Sequence, residues 1–489
     1  MKKLSNLLVW INDNILKLLI VPFIFIAPLY PKLPFIDLEY TYISIRLEDL
    51  YVTILVLVFA IQLFRKKVQL PKNFSLLFFL FWGAVFLSFL FGAYIQNTIP
   101  VTNIGFLHAA RRIEYMSVFF IAFSTVRTKK DFFLYLYLIV FVLVLVSLYG
   151  VGQKFFGFPA VSTMNPEFAL GHLLYLTPEA RVSSTFGGHY DFAAYLVFLM
   201  PIVLSVYIWK RNIVYFLIFF IGLLALVLTA SRISSIAYLV SIISFLIFLR
   251  KPMLLILVVV LSIGMSFFST NLTSRFLKTF QIRQIFVNEK TGQVVVPQKI
   301  SSKELPAGSF YVQLKTQPTP SKESTPSVGA IDPTLRERIL SDIREEASKS
   351  GKVLTATEEA SLLARIYANL KPINTVVSDI SLATRIQVEW PRAVRAFLRN
   401  PVFGTGPSSI TEATDNDYLR WIGEIGGLGT ILFLTILFKL VQFVWYRLRK
   451  LGNTDKILYY GFLFGIFGLI LNATYIDVFE ASKVAYQFW

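Results

Sequence analysis

The chain has no cysteine in 489 residues, which excludes a disulfide framework and thiol chemistry. Histidine is nearly absent, with only three. Acidic residues are few, 29 against 47 Lys and Arg, for a net charge of +18. Such an excess fits nucleic-acid binding when it forms one patch. Here the basic residues sit mostly in short loops between apolar runs, as topology signals do, and no nucleic-acid partner is expected. No small-residue cleavage site follows the apolar part of "MKKLSNLLVWINDNILKLLIVPFIFIAPLY", so this segment reads as a retained first helix. No internal repeat is found.

What is present is apolar mass. Hydrophobic residues make up 55% of the chain and aromatics 16%, and the mean hydropathy is +0.64. A soluble surface does not tolerate such values. Apolar runs fall at about 15–31, 49–64, 75–95, 104–126, 131–152, 188–209, 212–230, 232–249, 252–269, 418–446 and 456–474. They predict an all-α polytopic membrane protein of eleven spans. The closing "ASKVAYQFW" reads as the start of a truncated twelfth. Basic clusters recur in alternate loops: Lys2–Lys3, Arg65–Lys67, Arg127–Lys130, Lys210–Arg211, Arg250–Lys251 and Arg447–Lys450. Threading eleven spans from a cytoplasmic N-terminus puts all of them inside.

The expected organisation is then spans one to nine in 1–269, an extracytoplasmic loop domain in 270–417, and spans ten and eleven with a C-terminal stub in 418–489. Within the loop, "VVVPQKISSKELPAGSFYVQL" has hairpin-like alternation, and "QPTPSKESTPSVG" is Pro/Ser/Thr-rich. Two helices follow, the first capped by Asp332 with Pro333 next and Gly351 at its end, the second with Thr357 as cap.

Polar residues that carry chemistry gather at predicted outer helix ends. Arg181 and Arg232 stand there against the positive-inside bias, among small residues such as Ser183, Ser184, Thr229 and Ser231. An arginine at a helix end also serves as a snorkelling anchor. Guanidinium groups grip diphosphates bidentately, so the two helix ends are candidates to hold a lipid diphosphate. His189 follows in "GGHYDF", where a hydrogen-bonded structural histidine is the plainer reading. Arg385, Trp390, Val394 and Leu398 fall on one face of an amphipathic helix stopped by Asn400–Pro401. Asp415 and Asp417 read as helix caps, as cation ligands with Glu412, or, for Asp415, as a base or orienting group for a sugar hydroxyl. No recognisable ligand loop supports the cation. Glu424, about two turns below Asp417, enters the bilayer and calls for a partner, one of these arginines or nearby backbone.

Four pieces in order give a resemblance. "RVSSTFGGHYDFAAYLVFLMPIVLS" is similar to an Arg-then-"GTF" segment entering a helix, and "LTASRISSIAYLV" to an "LTxSR" turn. "SLATRIQVEWPRAVRAFLRNPVFGTGPSS" resembles a segment ending "NPxxGxG", and "DNDYLRWIGEIGGLGTILFL" resembles "HNxYLxxxxExGxxG". These belong to the O-antigen ligase and polymerase family of bacterial membrane glycosyltransferases. The resemblance implies a multi-pass protein of the bacterial inner membrane, concerned with lipopolysaccharide and cell-envelope glycans. It implies transfer of glycan from undecaprenyl diphosphate to an acceptor hydroxyl of a glycan, lipid or protein, on the outer face, by an inverting route with no cofactor or metal. It assigns Arg181 and Arg232 to the diphosphate and Asp415 to the reaction. Arg385, His189, Asn416, Tyr418, Glu424 and Asp477 are expected at the substrates. Asp415 stands where ligases commonly carry a His, which tilts the resemblance from ligase toward polymerase or a related transferase. The alternatives are a transporter or flippase of lipid-linked sugars, and a sensor using the 270–380 loop as an interaction module.

Overall fold

A computed structural model describes residues 2–36, 44–163, 171–177, 180–268, 280–288, 294–295, 337, 339–341, 343–344, 355, 358–363, 370–378, 385–410 and 414–489. The chain forms two compact units, Met1–Arg275 with Ala383–Trp489, and Phe276–Leu382. Residues 385–410 therefore fold with the helical unit and not with the inserted one.

The first unit is a bundle. Its elements are α1 (Lys2–Leu29), a two-stranded pair β1 (Pro34–Ile36) and β2 (Ile45–Arg46), α2 (Leu47–Phe64), and α3 (Lys72–Leu90), which runs into a π-helical turn, Phe91–Ile95. Then come α4 (Thr102–Thr125), α5 (Lys129–Phe155), α6 (His189–Lys210), α7 (Ile213–Leu228), α8 (Arg232–Phe248) and α9 (Pro252–Phe268). After the second unit, a π-helical turn at Arg385–Glu389 leads into α10 (Trp390–Arg399), α11 (Asp417–Leu448), α12 (Asn453–Asn472) and α13 (Ser482–Phe488).

Every predicted apolar run is a helix. Among the described residues, seven helices are long and apolar enough to cross a membrane, and three shorter apolar ones are α7, α8 and residues 252–267 of α9. The remaining run, α4, carries Arg111, Arg112 and Glu114.

In the second unit, β3 (Phe280–Asn288) pairs antiparallel with β5 (Leu370–Ser378) over its whole length, and with β4 (Val294–Val295). The chain is mostly helical, and this three-stranded sheet adds strands to the inserted unit beyond the hairpin expected there. Alternation is a local signal, and the β3–β5 pairing joins segments about 90 residues apart. Of the expected hairpin, only Val294–Val295 are described. The expected caps Asp332 and Thr357, with Pro333, Gly351 and Glu412, lie outside the described residues.

Helix α6 is the axis of the bundle. Its apolar residues surround it without a polar stripe, and 83% of its 18-residue window is buried, against 39% at most in the other long helices. A helix apolar on all sides belongs inside its neighbours. It packs against α7, α8 and α12. At Gly465 of α12 any Cβ would stand 2.4 Å from the Phe198 carbonyl oxygen, so only glycine permits that approach.

The residues read as the start of a twelfth span form the short helix α13. Ser482, Lys483, Val484, Ala485 and Tyr486 of α13 are buried. The Lys483 ammonium donates to the carbonyls of Pro28 (3.0 Å), Tyr30 (2.5 Å) and Thr185 (2.7 Å), tying α13 to the end of α1. A lone lysine in an apolar stretch signals an internal partner rather than a lipid-facing helix.

The two ends of the bundle differ. At one end, Lys17 pairs with Asp131, Lys67 reaches Asp13 at 2.6 Å, and Lys129 faces Asp455 at 3.9 Å. A cavity of about 410 Å³ lies there, lined by Asn12, Lys17, Gln62, Arg127 and Asp131 among others. Two predicted basic clusters, 65–67 and 127–130, thus share one end. The C-terminus of α1, some 16 residues and about 24 Å of helix away, marks the other.

Candidate functional site

At that second end the four motif pieces meet. The α6 N-terminus is joined to the α7 C-terminus by the Val182 N–H donating to the Leu228 carbonyl at 3.2 Å. The Ser234 hydroxyl of α8 reaches Asn472 Oδ1 of α12 at 3.2 Å. The Asp417 N–H of α11 donates to the Ala473 carbonyl at 3.0 Å. Each motif also holds a non-glycine residue at positive φ: Ser184 (53°), Ala230 (49°), Ser408 (69°) and Asp415 (51°). Such conformations persist only where the surroundings impose them, and they cluster at functional sites.

Two tyrosines organise the arginines. The Arg181 and Arg385 guanidinium carbons each lie 5.8 Å from the centre of the Tyr190 ring. Arg385 also stacks on Tyr475 at 4.3 Å. Burial pushes the Tyr475 phenol above its ordinary range, while the charges of Arg385 and, to a lesser degree, Arg232 pull it back, so the charge of Arg232 is felt at that hydroxyl. The three arginines predicted from the sequence are thus brought together around Tyr190 and Tyr475. Flat guanidinium groups on aromatic faces are held in orientation while their edges keep donors for an anion. Arg181 is buried, and its Nη1 contacts His189 Nε2. The hydrogen-bonded structural reading of His189 thus has its partner in Arg181.

Asp415 completes the group. Its carboxylate pairs with Arg385 and keeps 27% of its side-chain surface exposed. Burial pushes this carboxyl up to about 7; Arg385 opposes the shift, and Asp477 and Glu389 reinforce it. A carboxylate titrating near neutrality is suited to accept a proton.

The residues around Asp415 are structural partners. Asn416 caps α11, its Oδ1 accepting the Leu419 N–H at 3.0 Å, and neither flanking aspartate does. Asp417 accepts the N–H groups of Val478 (2.8 Å) and Phe479 (3.1 Å). The Tyr418 hydroxyl donates to the Ile470 carbonyl at 2.9 Å. Glu424 pairs with Arg112 and, at 3.5 Å, with Arg420, rather than with Arg181, Arg232 or Arg385. Arg112 continues to Glu480 at 2.9 Å. Arg112 and Arg420, each inside an apolar run, had a sequence signal in the cost of placing charge there.

The α11 helix is interrupted at Gly426 (φ 63°, ψ −172°). The loop "NPVFGTG" fills the gap. Gly427 and Leu428 donate to the carbonyls of Pro401 (2.8 Å) and Val402 (3.2 Å), and Thr405 and Gly406 donate to those of Gly423 (3.0 Å) and Glu424 (2.9 Å). A broken helix within a membrane is stable only when its freed backbone groups are paired like this. The two glycine-rich motifs are halves of one junction.

The amphipathic-face reading of α10 holds only in part. Arg385 is buried, whereas Val394 and Leu398 are exposed. The π-helical turn at Arg385–Glu389 breaks the 3.6-residue register and rotates Arg385 toward the site.

Fold and site together define a polytopic helical bundle with an arginine-lined site beside a carboxylate. The family model described as O-antigen ligase matches residues 216–434, and the chain is similar to that family over this stretch. An O-antigen ligase joins a glycan to an acceptor, so glycan transfer at a bacterial inner membrane is the chemistry that the match supports. No curated protein matches the chain.

Proposed function

We propose that the chain transfers glycan from an undecaprenyl-diphosphate carrier to an acceptor hydroxyl at the outer face of the bacterial inner membrane. The observation that carries this reading is the convergence of Arg181, Arg232 and Arg385 on Tyr190 and Tyr475, with Asp415 on Arg385. Two guanidinium groups held against aromatic faces, with the charge of Arg232 nearby, suit the two phosphates of a lipid-linked sugar. The acceptor oxygen attacks the anomeric carbon, and the bond from that carbon to the diphosphate oxygen breaks. The diphosphate leaves with the electron pair, stabilised by the arginines. The acceptor proton passes to Asp415, and attack opposite the leaving group inverts the anomeric centre. No metal takes part in this scheme.

The sidedness follows from the basic clusters. Those at 65–67 and 127–130, with the Asp455 end of α12, lie at the end away from the site. Basic loops tend to stay cytoplasmic, which supports a site at the outer face.

The test is transfer by the purified chain from undecaprenyl-diphosphate oligosaccharide to a glycan acceptor. Arg232→Ala is expected to lower it by about 10²- to 10³-fold and Asp415→Ala to abolish it, and undiminished transfer by either removes that residue from the scheme. Mass spectrometry of surface glycan from a deletion strain then separates the two family activities. Loss of long chains means polymerisation; long chains retained on the carrier mean ligation.

A further inference from the structure

Asp477 is expected from the sequence at the acceptor, but its carboxylate is engaged with the chain itself. Oδ2 accepts the N–H groups of Thr414 (3.0 Å) and Asp415 (3.1 Å) and Nη1 of Arg420 (2.9 Å). Oδ1 accepts the N–H of Asn416 at 2.9 Å. Three successive backbone N–H groups around one anion form a nest, a geometry that fixes local backbone conformation. The middle residue of this nest is Asp415, at φ 51°, where a non-glycine residue stays only when held. With its N–H turned to Asp477, the Asp415 side chain points to Arg385.

The tether is itself braced. Arg420, on the first turn of α11, is buried and bridges Asp477 to Glu424. Glu424 is in turn fixed by Arg112 and by the Ser408 N–H at 3.2 Å, in the loop that fills the α11 break. One chain of contacts thus runs from the helix junction to the Asp415 backbone.

We propose that Asp477, clamped by Arg420, is the positioning residue that holds Asp415 in its working conformation, without touching either substrate. This inference rests on the glycan-transfer reading above. The charged groups facing Asp415 are Arg385 and Glu389 from the turn before α10, Asp477 from the segment after α12, and Arg420 from α11. Asp477 disfavours the ionised form of Asp415, so removing its charge makes Asp415 easier to ionise.

The experiment compares the wild-type chain with Asp477→Asn, measuring kcat, KM for donor and acceptor, and the pH–rate profile. Displacing a reacting group by about 1 Å costs on the order of 100-fold in rate, so kcat is expected to fall by that order. Both KM values are expected to stay within about two-fold, and the acidic limb to move to lower pH. Asp415→His, which is expected to retain measurable transfer, replaces this limb with that of an imidazole in the Asp477→Asn background, which assigns it to Asp415. Arg420→Lys keeps a cation but loses the two-pronged grip, and is expected to lower kcat at unchanged KM. This second variant decides the matter if Asp477→Asn does not fold. A raised acceptor KM at unchanged kcat in Asp477→Asn would overturn the inference and return Asp477 to the acceptor site. An unmoved limb, or wild-type kcat in Arg420→Lys, would also overturn it. Absence of transfer by the wild-type chain removes the glycan-transfer reading itself and this inference with it; wild-type transfer with an unmoved limb removes this inference alone.

Discussion

Arg385 and Asp415, thirty residues apart in the chain, form an ion pair at the mouth of the bundle, with Arg385 also stacked on Tyr475. In the proposed scheme one charge of the pair grips an anion and the other accepts a proton. Its consequences separate from those of a merely structural salt bridge.

Arg385 favours the ionised form of Asp415. Replacing it with Gln removes that support, so the acidic limb of the transfer rate is expected to move above pH 7, opposite to the shift from Asp477→Asn. Donor KM should rise as well. A pH–rate series on Arg385→Gln and Arg385→Lys checks both, and a limb that stays in place argues against Asp415 as the titrating group.

Burial holds the Asp415 carboxyl at about 7, close to the ordinary range of histidine. Asp415→His is therefore expected to retain measurable transfer with a limb near pH 6 to 7, whereas Asp415→Ala loses it. Equal activities for the two variants would show that the side chain carries no proton.

The charge of Arg232, at the start of α8, is felt at the Tyr475 hydroxyl. Removing one preorganised charge-stabilising donor from a leaving-group site costs about 10²- to 10³-fold in kcat. Arg232→Ala is expected to show that loss with the fold intact, as judged by its melting temperature in detergent. A change in acceptor KM alone would place Arg232 elsewhere in the reaction.

At Gly426 a Cβ would stand 2.4 Å from the Val402 carbonyl oxygen, and φ is 63°. Gly426→Ala adds a clash to a strained backbone, of order 1–3 kcal/mol. A melting temperature several degrees lower and reduced transfer are expected. Unchanged thermal stability would mean that the loop and the α11 break are not held together as described.

Glu424 is a buried carboxylate between Arg112 and Arg420, and breaking such a pair from one side costs about 3–5 kcal/mol. Glu424→Gln is expected to lower the yield of folded protein more than any site substitution above. Melting curves in detergent read this directly.

The sequence by itself determined the helices and the chemical types at the site. Apolar runs about 20 residues long dictate helices wherever they occur, because in hydrocarbon the backbone must satisfy its own hydrogen bonds. Basic loops and the arginine, aspartate and glycine motifs are equally local signals, and Arg181, Arg232, Arg385 and Asp415 were visible from them. Tertiary structure alone decided which charges pair. Nothing local distinguishes Glu424 meeting Arg112 from Glu424 meeting Arg181, since the choice depends on where α4 and α11 cross. The same holds for Tyr190 and Tyr475, two of 23 tyrosines, and for α13, whose apolar residues suit lipid and protein interior equally. Only the buried Lys483, bonded to three carbonyls, reveals which environment it occupies.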